Sequence, residues 1–185
     1  MNTALIVMGV IVVLLIIMYN TLVSKKNEVE NIFASVDTLL KKRYDLIPNL
    51  VASVKEYMGY EKDLLEKVTQ LRTRAMNPNI SDDEKIKLDK EVSGLLGSIM
   101  VAVENYPELK ANENVLHLQH TLAEIEEQIS AARRAYNQAV TDYNNAIEMI
   151  PTNIMANMMG YRRKEVFSID ESERKNVDIK KLFNE

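Results

Sequence analysis

The 185-residue chain has no cysteine and no tryptophan, only five glycines and four prolines, and few aromatic residues. Without cysteine there are no disulfides, no thiolate nucleophile, no Cys-ligated zinc and no lipidated cysteine of the kind that anchors a bacterial lipoprotein. The scarcity of Gly and Pro removes the turn residues that a β-sandwich or barrel needs. Abundant Ala, Leu, Glu, Lys, Asn and Met fill their place, so the fold class is all-α. An excess of basic charge is also missing. The net charge is -4 with a pI near 5.4, and no segment interleaves Lys or Arg with aromatics, so no nucleic-acid partner is expected. There is no P-loop, no Gly-rich phosphate turn and no supported Ser-His-Asp set. The chain is therefore not expected to be an enzyme and is assigned no catalytic residue, cofactor or metal.

Charged side chains are absent from Met1 to Ser24, and within that stretch Ala4 to Val23 supplies 20 consecutive mostly apolar residues. As a helix this is long enough to cross about 30 Å of hydrocarbon. No basic residue precedes the run and no small-x-small site follows it, so it reads as a retained anchor and not as a cleaved signal. Lys25 and Lys26 follow at once, with Lys41, Lys42 and Arg43 further on. By the positive-inside rule the chain is single-pass in the cell membrane, N-terminus outside and bundle in the cytoplasm. The division expected is an anchor at 1–24, a helical bundle at 25–160 and a charged, partly irregular tail at 161–185.

Beyond the span, two rows recur every seven residues: Val29, Val36, Arg43, Leu50, Tyr57, Leu64, Leu71, and Phe33, Leu40, Ile47, Val54, Glu61, Val68, Ala75. The spacing predicts one coiled-coil-like helix of about 50 residues, continuous with the membrane span and ended by Asn77-Pro78-Asn79. Ser81-Asp82-Asp83-Glu84 has the form of a capping box and starts a second helix, which runs to Asn105-Tyr106-Pro107. A third, about Asn112 to Ile150, carries Leu118, Leu122, Ile125, Ile129, Ala132, Tyr136, Ala139, Tyr143 and Ala146 in steps of four and three. Pro151 stops it. A short Met-rich helix follows from Thr152, ended near Gly160. The architecture expected is an up-and-down bundle of three long helices plus a short fourth.

KKRYDLIPNLV, Lys41 to Val51, places Pro48 inside the first helix. With Leu50 at zero on the helical wheel, Arg43, Ile47 and Val54 lie within about 60° of it, whereas Pro48 lies roughly 160° away. The proline thus faces outward, frees the Tyr44 carbonyl on the wettable side and bends the helix around its partners. Asp45 shares that side, with Lys41 as its i,i+4 partner. Arg43 falls in the apolar seam and needs a partner from another helix. The third helix offers Tyr136-Asn137 and Tyr143-Asn144, a YN pair repeated at seven residues, whose buried rings leave hydroxyls to satisfy. Arg43, Tyr44, Asp45, Pro48, Asn49, Tyr136, Asn137, Tyr143 and Asn144 form the candidate set for a polar core or interaction surface.

Two other clusters have simpler readings. Glu113, His117, His120 and Glu124 share one helix face and resemble half of a carboxylate–histidine metal site, but that face opposes the apolar seam and reads as a solvated stripe. Asn153 to Tyr161, rich in Met and followed by Arg162-Arg163-Lys164, reads as core packing of a capping helix. A pliable partner surface or a contact with an acidic leaflet is the alternative.

The combination of an N-terminal span, RYDLIPNLV, the YN-x5-YN repeat in AARRAYNQAVTDYNNAIEMIP and the closing MGYRRKEVF resembles the LemA family of bacterial membrane proteins over nearly the whole chain. The resemblance implies a cytoplasmic helical bundle behind a single span and carries no established activity. The function expected is a membrane-anchored, non-enzymatic scaffold or adaptor that presents a protein-interaction surface and self-assembles. Its partners would be the bilayer through the N-terminal helix, other proteins and further copies of itself. Lipid binding with membrane remodelling, and a metal enzyme on the Glu/His stripe, are the alternatives.

Overall fold

The structure, a computed structural model, describes residues 2–58 and 62–167. The charged tail expected at 161–185 lies outside the described residues from 168 onward. Among the described residues the chain is helix and connecting turn without a strand, in the order α1 (Asn2–Val54), α2 (Lys62–Ala75), α3 (Asp82–Glu104), α4 (Pro107–Lys110), α5 (Glu113–Glu148) and α6 (Thr152–Met158). The all-α class is as the composition implies.

Both seven-residue rows of α1 are buried as far as Val54: Val29, Phe33, Val36, Leu40, Arg43, Ile47, Leu50 and Val54 all face inward, joined by Leu22 and Tyr44. At 1.5 Å per residue, the 53 residues of α1 extend about 80 Å. Its first 16 residues project beyond the bundle and are exposed, as a membrane span is and a core helix is not.

The expected 50-residue helix to Ala75 is corrected here. The chain leaves the helix after Val54 through a turn in which the Tyr57 and Met58 amides both donate to the Val54 carbonyl (3.1 and 2.9 Å), and Met58 is fully buried beneath it. The two rows weaken together at this point. Tyr57 is 37% exposed, and the next residue of the companion row is the charged Glu61. The apolar spacing resumes in Leu65, Val68 and Ala75 because α2 needs a seam of its own, turned back against α1 and α3.

The caps behave as their residue types dictate. Ser81 accepts the Glu84 amide at 3.2 Å to open α3, with Asp82, Asp83 and Glu84 in the first turn. The Asn112 side chain caps α5 by accepting from Asn114 and Val115. At the end of α6, Gly160 adopts φ +69° and the Tyr161 amide returns to the Ala156 carbonyl at 3.0 Å, the closure that a left-handed residue permits.

The directions of the helices follow from their cross-links. Lys25 reaches Asp142, Phe33 packs on Tyr136 and Arg43 bonds Glu126, so α5 runs antiparallel to α1. Lys85 pairs with Asp37 and Asp89 with Arg43, so α3 runs parallel to α1. The short α6 folds back onto the membrane-proximal part of α1, where Lys26 lies 5.8 Å from the centre of the Tyr161 ring.

Candidate functional site

The polar centre of the bundle is built around Arg43, which is 1% exposed in the middle of α1's apolar seam. Its Nη1 donates to Ser93 Oγ and Glu126 Oε2, both at 2.8 Å, and its Nη2 donates to the carboxylate and the backbone carbonyl of Asp89. Arg133 completes the set by bonding the other Asp89 oxygen while its Nη1 stands 3.7 Å from Glu126. Two arginines and two carboxylates therefore alternate in a closed ring, Arg43, Asp89, Arg133, Glu126, contributed by α1, α3 and α5. The ring is neutral as a whole, which is the condition for burying charge without a large desolvation cost.

Electrostatics within the ring are unequal. Burial opposes charge on Arg43, but Asp89 and Glu126 outweigh it and hold the guanidinium above its ordinary range. Burial pushes the Asp89 carboxyl up, with Arg43 and Arg133 pulling it back. Arg43 thus keeps its charge and Asp89 bears the cost of leaving water. Beside the ring, the Tyr44 hydroxyl is buried without a partner, and burial pushes its pKa up to about 12.

The expectation that the YN repeats satisfy Arg43 is corrected. They lie toward the membrane end of α5 and grip a different object. Asn144 accepts the Lys164 amide and donates to the Lys164 carbonyl, both at 3.0 Å. Asn137 does the same for Phe167, both at 2.8 Å. A seven-residue step along a helix is about 10.5 Å, and three residues of extended chain span about 10 Å. The repeat spacing is thus a ruler for an extended segment running antiparallel to α5, read through its backbone. Tyr143 donates to the Arg162 carbonyl at 3.1 Å, and the Tyr136 ring lies between Phe33 and Phe167 at 5.4 and 5.3 Å.

Pro48 is exposed, as the wheel predicts, yet the freed Tyr44 carbonyl does not go to water. It accepts from Arg72 Nε of α2 at 2.9 Å, and Asp45 stands 3.7 Å from the same guanidinium instead of forming the expected pair with Lys41. The proline opens an acceptor to which α2 docks, and Asn49 beside it is exposed.

Sequence reasoning missed Asp89, Ser93, Glu126 and Arg133. A signal for Asp89 was present, since Asp89, Val92, Leu96, Ile99 and Val103 follow steps of three and four and only the first is charged. Glu126 and Arg133 are seven apart in the row that continues to Val140 and Ile147, at the edge of the seam.

The Glu/His stripe is exposed; His120 meets Glu124 at 3.3 Å, and His117 contacts Thr121. Among the described residues no three His, Asp or Glu side chains converge in a way that could hold a metal ion. The Met-rich segment divides. Met155, Ala156 and Met159 pack inward, while Ile154 and Met158 remain 64% and 84% exposed.

Above the ring a cleft of about 530 Å³ opens between α3 and α5, its wall formed by Leu96, Gly97, Met100, Leu122 and Ala123 and its polar lining by Arg43, Ser93, Glu104, Gln119 and Glu126. Gly97 and, on the neighbouring face, Gly94 sit in mid-helix where an added Cβ would meet nothing within 4 Å.

Residues 32–180 match the family model described as the LemA family. The chain belongs to the LemA family. Among similar proteins is Protein LemA of Metamycoplasma hominis, 27% identical over 165 residues that cover 89% of this chain and 75% of that one. Magnetosome protein MamQ 2 of Paramagnetospirillum magneticum is 25% identical over 196 residues, covering 92% of this chain and 72% of that one. The matched region begins at Ile32, inside α1, so the LemA region comprises the Arg43 ring, the cleft and the Asn137–Asn144 grip.

Proposed function

We propose that this LemA protein is a membrane-anchored, non-enzymatic scaffold whose bundle, on the cytoplasmic side, docks an apolar protein segment in the α3–α5 cleft. The observation that carries this is an open cleft with an apolar wall and a polar rim, on a bundle whose internal charges are already matched with one another. Arg43, Asp89, Glu126 and Arg133 form ion pairs among themselves, so the ring does not supply a poised acid, base or nucleophile. What is left for recognition is shape. A mid-helix glycine is unfavourable by roughly 1 kcal/mol relative to Ala. Gly94 and Gly97 incur that cost where packing within the chain does not require it, and at Gly97 the result is room in the cleft.

The unbroken α1 gives the scaffold its rigidity, because the helix that would cross the bilayer is the same one that carries the bundle's seam. The Glu126 side chain is half-exposed, and with Glu104 and Gln119 it supplies polar anchors at the edge of the apolar wall. Occupancy by a second copy would make the protein self-assembling; occupancy by another protein would make it an adaptor.

Gly97→Leu fills the cleft with a good helix former and tests this directly. Full-length protein extracted from native membranes in mild detergent is expected to hold its partner in the unaltered form and to lose it in the variant, with melting unchanged or raised. An identical complex in both forms would sink the proposal.

A further inference from the structure

We propose that the α5–α6 turn and the outer face of α6 form a second membrane contact, a foot that enters the same leaflet through which α1 leaves the bilayer. The proposal rests on α1 crossing the membrane. Its occupant is the lipid surface itself.

The placement follows from register. Lys25 of α1 meets Asp142 of α5 at 3.3 Å, and the two helices are antiparallel. Six residues further along α5, about 9 Å at 1.5 Å each, Glu148 is level with about Tyr19. Tyr19 lies inside the apolar run that ends at Val23. The turn beyond Glu148 therefore projects to the depth of the span's own last turns. The burial of α1 agrees, for Met18 is half-buried and Leu22 wholly buried, although both belong to the apolar run. α6 packs on α1 and α5 at this end of the bundle and covers them.

At that depth the bundle presents Met149, Ile150, Ile154 and Met158, exposed by 63, 82, 64 and 84%. Four large apolar side chains contributed by one turn and one seven-residue helix are unusual on a water-facing surface. Directly behind them lies a band of ion pairs at headgroup level: Lys25 with Glu28 and Asp142, Lys26 with Glu30, and Arg163 with Glu148 at 2.6 Å, with Arg162 beside them. An apolar tip under a collar of charged side chains is the arrangement by which a short amphipathic element rests in a leaflet, with its apolar side at the acyl boundary and its charged groups among the headgroups. The inward-facing Met155, Ala156 and Met159 attach the tip to the bundle, so the foot would fix the tilt of the bundle on the membrane as well as its attachment.

The cysteine-free sequence supplies the experiment. Single Ile154→Cys and Met158→Cys variants of the full chain, carrying an environment-sensitive fluorophore, are reconstituted in phosphatidylcholine and in phosphatidylcholine–phosphatidylglycerol vesicles whose acyl chains are brominated. Val10→Cys reports on the span. Val101→Cys and Leu116→Cys report on exposed apolar sites far from the membrane end of the bundle. The expected result is strong quenching at residues 10, 154 and 158 and none at 101 and 116, with quenching at 154 and 158 greater when bromine is near the headgroup. Quenching at 10 but not at 154 and 158, in either lipid, would overturn the foot and leave the span intact. Absence of quenching at 10 would overturn both. Equal quenching in the two lipids would support the apolar tip as the contact, and quenching confined to the anionic vesicles would overturn it.

Discussion

Replacing Arg43 by Met keeps the helix and most of the side-chain volume while removing one corner of the charged ring. Asp89 would then retain only Arg133, with a side chain that is 2% exposed and has lost the bonds Arg43 made to its carboxylate and carbonyl. Breaking a buried pair from one side costs about 3–5 kcal/mol, because the remaining charge stays out of water. Glu126 is 46% exposed and Arg133 25%, so those two can turn toward solvent and toward each other, which places the expected loss near the lower bound, about 3 kcal/mol. For a chain of this size that corresponds to a fall in Tm of roughly 6–12 °C. The assay is denaturant unfolding of the full-length protein in detergent micelles, followed by the helical circular dichroism signal. A companion, Arg43→Met with Asp89→Leu, removes both buried charges and is expected to recover most of the loss, since an apolar pair of similar volume is near neutral in such a site. Unchanged stability in Arg43→Met, or a double variant worse than the single one, would refute the closed-ring account.

Three further substitutions probe the same packing. Asn144→Ala removes two hydrogen bonds to the Lys164 backbone and is expected to cost about 1–3 kcal/mol, with hydrogen exchange at the Lys164 amide accelerated while the Arg43 region is unaffected; unchanged protection would contradict the ruler. Tyr44→Phe deletes a buried hydroxyl without a partner and is expected to leave stability equal or higher by about 1 kcal/mol. Burial pushes Tyr44 and Tyr136 up to about 12, above the ordinary tyrosine value near 10. Their contribution is present below pH 10 and is lost as pH rises through 12, so Tyr44→Phe should flatten the alkaline decline of stability measured over that window. Gly97→Ala should raise stability by about 0.5–1 kcal/mol in the same denaturation assay.

Much of this architecture was legible in the sequence because helix seams and caps are local. The apolar rows of α1 as far as Val54, the Ser81 cap, the stop at Pro151 and the turn at Gly160 all depend on residues within a few positions of one another. The break after Val54 was not legible, since the apolar spacing of α2 restarts in step with that of α1 and mimics a continuous helix. The outward face of Pro48 was readable from the wheel, whereas the arrival of Arg72 at the Tyr44 carbonyl depends on how α2 turns back. The burial of Arg43 was also readable, but its partners lie 46 and 83 residues away and one helix alone does not specify them. The Tyr-Asn repeats suggest hydroxyl acceptors for Arg43, whereas their spacing matches the repeat of the segment they hold through its backbone.

The central claim, that the α3–α5 cleft is where another protein docks, is tested most directly by a photo-cross-linking amino acid at Met100 in the full-length protein in its own membrane. The account predicts a discrete protein adduct at Met100 that disappears when Gly97→Leu fills the cleft and that is absent from a probe at Val101. Adducts confined to lipid, or a protein adduct indifferent to Gly97→Leu, would contradict it.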